Sequence, residues 1–206
     1  MRKPPEEGNI WEWRAFGSLS PDLLARVNSL PLRAGIVGRP EFDIYLISPT
    51  SDNNVKLREL DDRNVLKLKP LLESGTDRIE LYEESMDLVY DFPVDKPVFD
   101  RICSLLETAP AGDLSAIQSF GEEGFTRALS TCRPPIKRVE VSKTRSQFVV
   151  LNGWVELADM IFPRKTTQSI SVHSFQKEAV ARTLSELNIK AGLKEMNYVR
   201  ACRLWG

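Results

Sequence analysis

The stretch Asn54 to Lys69, NVKLRELDDRNVLKLK, constrains the fold more than any other. Val55 and Leu57 alternate with Lys56 and Arg58, and Leu66 and Leu68 alternate with Lys67 and Lys69. Successive side chains of a strand point to opposite faces, so each run carries one apolar and one cationic face. The polar residues Glu59 to Asn64, with their Asp-Asp pair, read as the turn between the runs. The product is a β-hairpin, apolar on one side and bearing four cations on the other. An open sheet places such cations in water. A barrel points them inward at an anion, and the rest of the chain decides between the two.

The 206 residues suffice for one domain with a sizeable core. The formal net charge of −1 offers no global attraction to nucleic acid or an anionic membrane, so any anion must be held by a local cluster of cations. No apolar run approaches a membrane span, and MRKPPEEGN lacks the apolar core of a secretory signal. Cys103, Cys132 and Cys202 are odd in number and far apart, as expected of reduced structural thiols in a cytoplasmic protein. With a single histidine and no paired cysteines, a zinc site built on nitrogen and sulfur ligands is excluded. There is no phosphate-cradling Gly-x-x-x-x-Gly-Lys loop, no Gly-x-Gly-x-x-Gly and no Gly-x-Ser-x-Gly elbow.

Residues 1–8 read as a loose tail ahead of a first strand, NIWEWRAF, Asn9 to Phe16. Glu12 and Arg14 share one face of it with Ile10. Trp11 and Trp13 share the other, where core packing is the expected role. Ser20-Pro21 opens a short helix, and residues 33–40 read as a loop. EFDIYLI (41–47) and IELYEE (79–84) are strands, the second with Glu80, Tyr82 and Glu84 on one face. Helices are expected from Asp95 to Glu107 and over residues 113–131, the latter weakened by Gly121 and Gly124. In the long strand Arg138 to Leu151, one face runs Val139, Val141, Lys143, Arg145, changing from apolar to basic along its length. Asn152-Gly153 turns the chain into strand 154–160, SISVH (169–173) follows, and a helix runs from Ser174 to about Asn188. Asn197 to Trp205 reads as a closing strand. Eight or nine mostly antiparallel strands, several of them charged on one face, suit a closed barrel with helices packed outside.

The order of these segments resembles the CYTH proteins, or triphosphate tunnel metalloenzymes. Glu12-Trp13-Arg14 is similar to that family's opening Glu-x-Glu-x-Lys strand. The strand with Asp43 and Tyr45, VKLR (55–58), LKLK (66–69), IELYEE, SKTR (142–145) and VELADM (155–160) follow in the family's order. The resemblance spans residues 9–188. It implies an α+β fold: a closed, eight-stranded antiparallel tunnel barrel, with the whole chain, 1–206, as a single domain. By alternation the inward cations are Arg14, Lys56, Arg58, Lys67, Lys69, Lys143 and Arg145, and the resemblance gives them a phosphate-binding role. It likewise gives Glu12, Glu80 and Glu84, with Glu156 as a further candidate, to a Mg2+ or Mn2+ ion.

The departures from the family pattern bear on chemistry. Ile10 stands where the family has its first glutamate, and Ser171 and His173 fall on the acidic pair of its final strand. Serine and neutral histidine supply no carboxylate oxygens to magnesium. His173 reads as a hydrogen-bonding residue in or near the lumen, with an acid–base role as the alternative. The expected function is binding of a triphosphate- or polyphosphate-containing anion in a basic tunnel, with metal-dependent phosphohydrolase activity weak or lost. The alternative is an inactive barrel that serves as a protein-interaction or assembly module. Nucleic acid is disfavoured as a partner by the near-zero net charge.

Overall fold

The computed structural model describes residues 8–30, 32–33, 40–60, 63–189 and 192–206. The tail expected over residues 1–8 lies outside these, apart from Gly8, as do residues 34–39 of the expected loop and residues 61–62 of the hairpin turn.

Strand β1 (Gly8–Gly17) leads to Ser20, whose hydroxyl accepts the Leu23 N–H and so starts helix α1 (Pro21–Asn28). The short β2 (Leu32–Arg33) precedes β3 (Glu41–Ile47), β4 (Asn54–Leu60) and β5 (Arg63–Lys69). Next come β6 (Leu71–Ser74), β7 (Glu80–Glu84), a 3-10 turn (Met86–Leu88), β8 (Val89–Asp91) and β9 (Val94–Asp95). Helix α2 (Lys96–Leu105), β10 (Ser119–Phe120) and helix α3 (Glu122–Ser130) lead to the long strands β11 (Lys137–Val150), β12 (Gly153–Phe162) and β13 (Lys165–Ser174). Helix α4 (Lys177–Glu186), β14 (Lys194–Glu195) and helix α5 (Tyr198–Trp205) complete the order.

The strands form one strongly curled antiparallel sheet in the order β6-β7-β1-β13-β12-β11-β3-β4-β5-β8, with β14 added to β1 and β2 to β11. This corrects the expected closed, eight-stranded barrel: among the described residues ten strands lie on the path, and backbone hydrogen bonds do not close it. The two edges that would have to meet are already taken. The chain leaving β5 passes Pro70 and lays β6 on β7, and the chain leaving β7 crosses back and lays β8 on β5.

Two further segments depart from expectation. Asn197 to Trp205 is not a strand: Asn197 Oδ1 accepts the Arg200 N–H and caps α5. Its aromatic and valine residues favour β locally, but Tyr198, Ala201, Cys202 and Trp205 recur at helical spacing, and burial of that stripe prevails. Helix 113–131 shrinks to α3, because Asp113 Oδ1 turns back to the Ser115 N–H and residues 119–120 pair with β9.

The core divides into three clusters. Outside the sheet, α2 and α3 cover Leu57, Leu66 and Leu68, the apolar face of the hairpin. Helices α1 and α4 cover Trp13, Ile170 and Val172 on the other outer wall. Trp13 is thus core, and Trp11 packs at the edge of the same cluster beneath the Lys177 ammonium. The third cluster lies inside the curl. There α5 presents Tyr198, Ala201 and Cys202 to Phe16, Tyr45, Val141 and Met160, filling one end of the lumen. The apolar-to-basic change along β11 marks where this plug stops. All three cysteines are buried and none forms a disulfide.

The β11–β12 hairpin pairs Val150 with Gly153, so its loop is Leu151-Asn152, with Asn152 at φ +64°. Gly153 belongs to the strand, and a Cβ there would run into the carbonyl oxygen of His173 on β13. Gly153→Ala therefore lowers stability by about 1–3 kcal/mol. Gly124→Ala, in α3 with open space around it, raises stability by about 1 kcal/mol. Urea unfolding midpoints of the two variants are expected to move in opposite directions, and equal midpoints would refute the close-approach account of Gly153.

Candidate functional site

Beyond the plug, the lumen is lined by charge. Strand alternation carries Arg14 inward from β1, Lys56 and Arg58 from β4, Lys67 and Lys69 from β5, and Lys143 and Arg145 from β11. All seven expected cations are brought together on the concave face, where every one is ion-paired.

The pairs form a continuous chain of alternating sign. Lys56 Nζ is 2.9 Å from Asp43, and Arg58 Nε is 2.7 Å from the same carboxylate. Arg58 reaches Glu41 at 3.1 Å, and Glu41 also pairs with Arg145. Arg145 is 3.1 Å from Glu156, which lies 3.4 Å from Arg14. Arg14 Nε donates to Glu12 at 2.8 Å, and Lys69 donates to the other oxygen of Glu12 at 2.8 Å. Glu84 ends the chain between Lys69, at 3.1 Å, and Lys67, at 2.8 Å. Lys143 joins it sideways, 2.7 Å from Asp43. The links from β5 to Glu12 on β1 and Glu84 on β7 span the seam that backbone pairing leaves open.

Burial sets the protonation states. It opposes ionisation of Asp43, which is fully buried, but Lys56, Lys143 and Arg58 outweigh it and hold the carboxyl well below its usual range. Three cations share this one carboxylate. Burial, together with the neighbouring Arg58, accordingly pushes the Lys56 ammonium well below its usual value. Lys143 is lowered mainly by burial, which Asp43 only partly offsets. Burial also works against the charged forms of Glu12 and Glu156. Lys69 and Arg14 outweigh it at Glu12, Arg145 and Arg14 do so at Glu156, and both carboxylates stay ionised.

Asp43 and Glu41 are the residues that the sequence reading did not place in the lumen. The alternation was present in the sequence, since Glu41, Asp43, Tyr45 and Ile47 share one face of β3; the register that sets Asp43 opposite Arg58 and Glu41 opposite Lys143 came only with the fold. Tyr198 was also missed, because the expected strand turned out to be the plug helix. Its hydroxyl accepts from Arg14 Nη1 at 3.0 Å, and its ring lies 4.0 Å from that guanidinium.

The carboxylates expected to bind metal are each engaged by side-chain donors. Glu12 and Glu84 are both in the lumen, but their oxygens are taken by Arg14, Lys67 and Lys69. Glu80 accepts from Tyr82 Oη at 2.6 Å and from Asn197 Nδ2 at 3.1 and 3.2 Å, which ties β7 to the start of α5. Burial raises its pKa, and those donors only partly offset the rise. Glu156 is held by Arg14 and Arg145. Among the described residues no three His, Cys, Asp or Glu side chains are placed to hold a metal ion. Ile10, at the departure from the family pattern, is buried in the wall opposite Tyr82.

Ser171 and His173 also face the lumen, and Ser171 Oγ and His173 Nε2 share a hydrogen bond of 2.8 Å. His173 stacks parallel to Trp154 at 4.9 Å, and its Nδ1 lies 3.6 Å from Glu12. Burial lowers its pKa to about 4, with Glu12 opposing, so the ring is neutral near pH 7.

Comparison with known proteins adds a likeness of fold. No protein-family model matches the chain, and no curated protein is significantly similar to it. Solved structures do match. The PH1012 protein of Pyrococcus horikoshii superposes with a TM-score of 0.53 at 17% identity, over 93% of this chain and 98% of that one. A conserved hypothetical protein of Pyrococcus furiosus gives 0.52 at 16%, over 93% and 98%. A proposed adenylate cyclase of Bacillus halodurans gives 0.53 at 14%, over 94% and 98%. The shared property is the fold. Nearly the full length of each neighbour is matched. No helix among the described residues is long and apolar enough to cross a membrane.

Two outcomes follow from these pairings. Asp43→Ala leaves Lys56 without its ion-pair partner and Arg58 and Lys143 with Glu41 alone, and costs about 3–5 kcal/mol, whereas Arg127→Ala, in an exposed pair on α3, leaves the urea midpoint unchanged. Acid sensitivity has two stages. The depressed pKa of His173 contributes stability that is present above its ordinary value of 6.5 and is lost as pH falls toward about 4. The lowered carboxylates lose theirs only below their ordinary range. His173→Gln should abolish the upper stage and keep the lower one in urea midpoints measured across pH, and an unaltered profile would refute the assignment.

Proposed function

We propose that the chain is a divergent CYTH-like protein that binds a triphosphate- or polyphosphate-containing anion in its lumen. The observation that carries this reading is the convergence of seven cations from four strands on one concave surface, against five ionised carboxylates, Glu12, Glu41, Asp43, Glu84 and Glu156. A phosphate chain spreads negative charge over many oxygens and is held best by several Lys and Arg side chains arriving from different walls. Dispersed cations of this kind match such a ligand better than a single small anion. One fold neighbour is described as a proposed adenylate cyclase.

The proposal is one of binding. The carboxylates that the resemblance gives to Mg2+ or Mn2+ are engaged by Lys, Arg, Tyr and Asn donors, so metal-dependent hydrolysis is expected to be weak or lost. A second reading, an inactive barrel serving as an assembly module, is favoured by one specific observation: each lumen cation already has a partner within the chain. On that reading the charges hold the wall together and take no ligand.

Thermal unfolding with tripolyphosphate, ATP and pyrophosphate, each with and without Mg2+ or Mn2+, separates the readings. A ligand at 100 times its dissociation constant adds about 2.7 kcal/mol, which is roughly 5–11 °C at about 2–4 °C per kcal/mol for a chain of this size. Tripolyphosphate is expected to raise the midpoint, and Arg58→Ala and Lys67→Ala to lose most of the rise. The absence of a shift with any phosphate compound would move the assignment to the assembly module.

A further inference from the structure

Glu41 differs from the other lumen carboxylates. Asp43 is fully buried and receives hydrogen bonds from Lys56, Arg58 and Lys143. The side chains of Glu12 and Glu156 are 8% and 5% exposed, that of Glu84 is 18% exposed, and that of Glu41 is 28% exposed. Glu41 is the first residue of β3 and is paired with Lys143 on β11, while the pairing of β3 with β4 starts only at Asp43. Three cations surround its carboxylate: Arg58 Nη2 at 3.1 Å, Lys143 Nζ at 3.7 Å and Arg145, which donates to Oε1. Oε2 is buried, yet it receives no properly directed hydrogen bond. Glu41 thus supplies charge to all three cations but receives a directed hydrogen bond from Arg145 alone. A carboxylate offers them two oxygens, and a terminal phosphoryl group offers three and a larger negative charge.

We propose that Glu41 is a displaceable internal occupant of an anion subsite formed by Arg58, Lys143 and Arg145, and that the group which displaces it is the terminal phosphoryl group of a phosphate chain. This rests on the reading of the lumen as a phosphate-chain site. Asp43 stays in place when Glu41 leaves, because its own hydrogen bonds to Lys56, Arg58 and Lys143 are intact, and it keeps the remaining cations compensated. Glu41 moves outward into water, where an ionised carboxylate is well solvated. The exchange has a selective consequence. A small anion with one phosphoryl group must compete with Glu41 using this subsite alone, whereas a longer phosphate chain also gains the cations deeper in the lumen. Glu41 therefore discriminates against orthophosphate and in favour of phosphate chains.

The test compares wild-type protein, Glu41→Ala and Glu84→Ala in thermal unfolding at constant ionic strength, with orthophosphate and with tripolyphosphate as probes. Orthophosphate at millimolar concentration is expected to leave the wild-type midpoint unchanged and to raise that of Glu41→Ala by several degrees. Tripolyphosphate is expected to bind Glu41→Ala at least tenfold more tightly than wild type. Glu84→Ala removes the carboxylate at the other end of the chain of ion pairs and is expected to show no orthophosphate response. Should Glu41→Ala fail to fold, Glu41→Gln, which keeps the shape and removes the charge, takes its place.

If tripolyphosphate shifts the wild type while Glu41→Ala gains nothing with either probe, the subsite is overturned and the lumen reading stands. An equal orthophosphate response in Glu84→Ala would also overturn it, because any lost negative charge would then suffice. No response to tripolyphosphate in the wild type or either variant removes the lumen reading and the subsite with it. A tripolyphosphate response in wild type together with an orthophosphate response confined to Glu41→Ala supports the subsite.

Discussion

The structure depends on a chain of buried ion pairs that winds around the inside of the sheet, from Lys56 on β4 to Lys67 on β5. Removing a charge from water costs several kcal/mol per ion, and an unpaired charge in this position would not be tolerated. The chain meets the cost by alternation: Asp43, Glu41, Glu156, Glu12 and Glu84 each lie between two or more cations. Such a network adds little net stability over apolar side chains of the same size. What it does is hold the walls in register. A shift of any one strand would break two pairs at once and bury the charges left behind.

This explains how a sheet without a closed hydrogen-bond ladder keeps its curl. Between β5 and β7 the backbone edges are occupied by the short strands β8 and β6, and the contacts across the gap are Lys67 and Lys69 to Glu84 and Glu12. At the other end α5 replaces charge with apolar packing, Tyr198 and Cys202 against Tyr45, Val141 and Met160. Arg14 stands at the boundary. Its guanidinium lies over the Tyr198 ring and donates to Glu12, so the apolar plug and the charged lumen share a residue. Glu80, hydrogen-bonded to Asn197, makes a second link between wall and plug.

A lumen already filled with its own counter-ions frames the functional question. Any phosphate-rich ligand has to exchange with carboxylates, so affinity is a difference between two sets of charge-assisted contacts. Carboxylates fixed by several directed hydrogen bonds, such as Asp43, belong to the wall. A carboxylate that is near three cations but hydrogen-bonded by only one of them, such as Glu41, is where exchange costs least.

The inward set Arg14, Lys56, Arg58, Lys67, Lys69, Lys143 and Arg145 was legible from alternation alone, because strand geometry sends every second residue to one face whatever the partners are. The outer apolar faces of the hairpin and of the β1 strand were legible for the same reason. The partners were not. Which carboxylate meets which cation depends on register between strands distant in sequence, such as Asp43 with Lys143, and no local rule sets that register. The plug helix was misread because local β preference and helical spacing disagree over Asn197 to Trp205, and the apolar lumen that decides the matter exists only once the sheet has curled. The sequence by itself determined the long strands of the sheet, the charges on one face of them and their apolar outer faces, since those follow from periodicity. The open seam, the pairing of the charges and the occupation of the anion subsite by Glu41 were decided by the tertiary structure, because each is a contact between walls that only folding brings together.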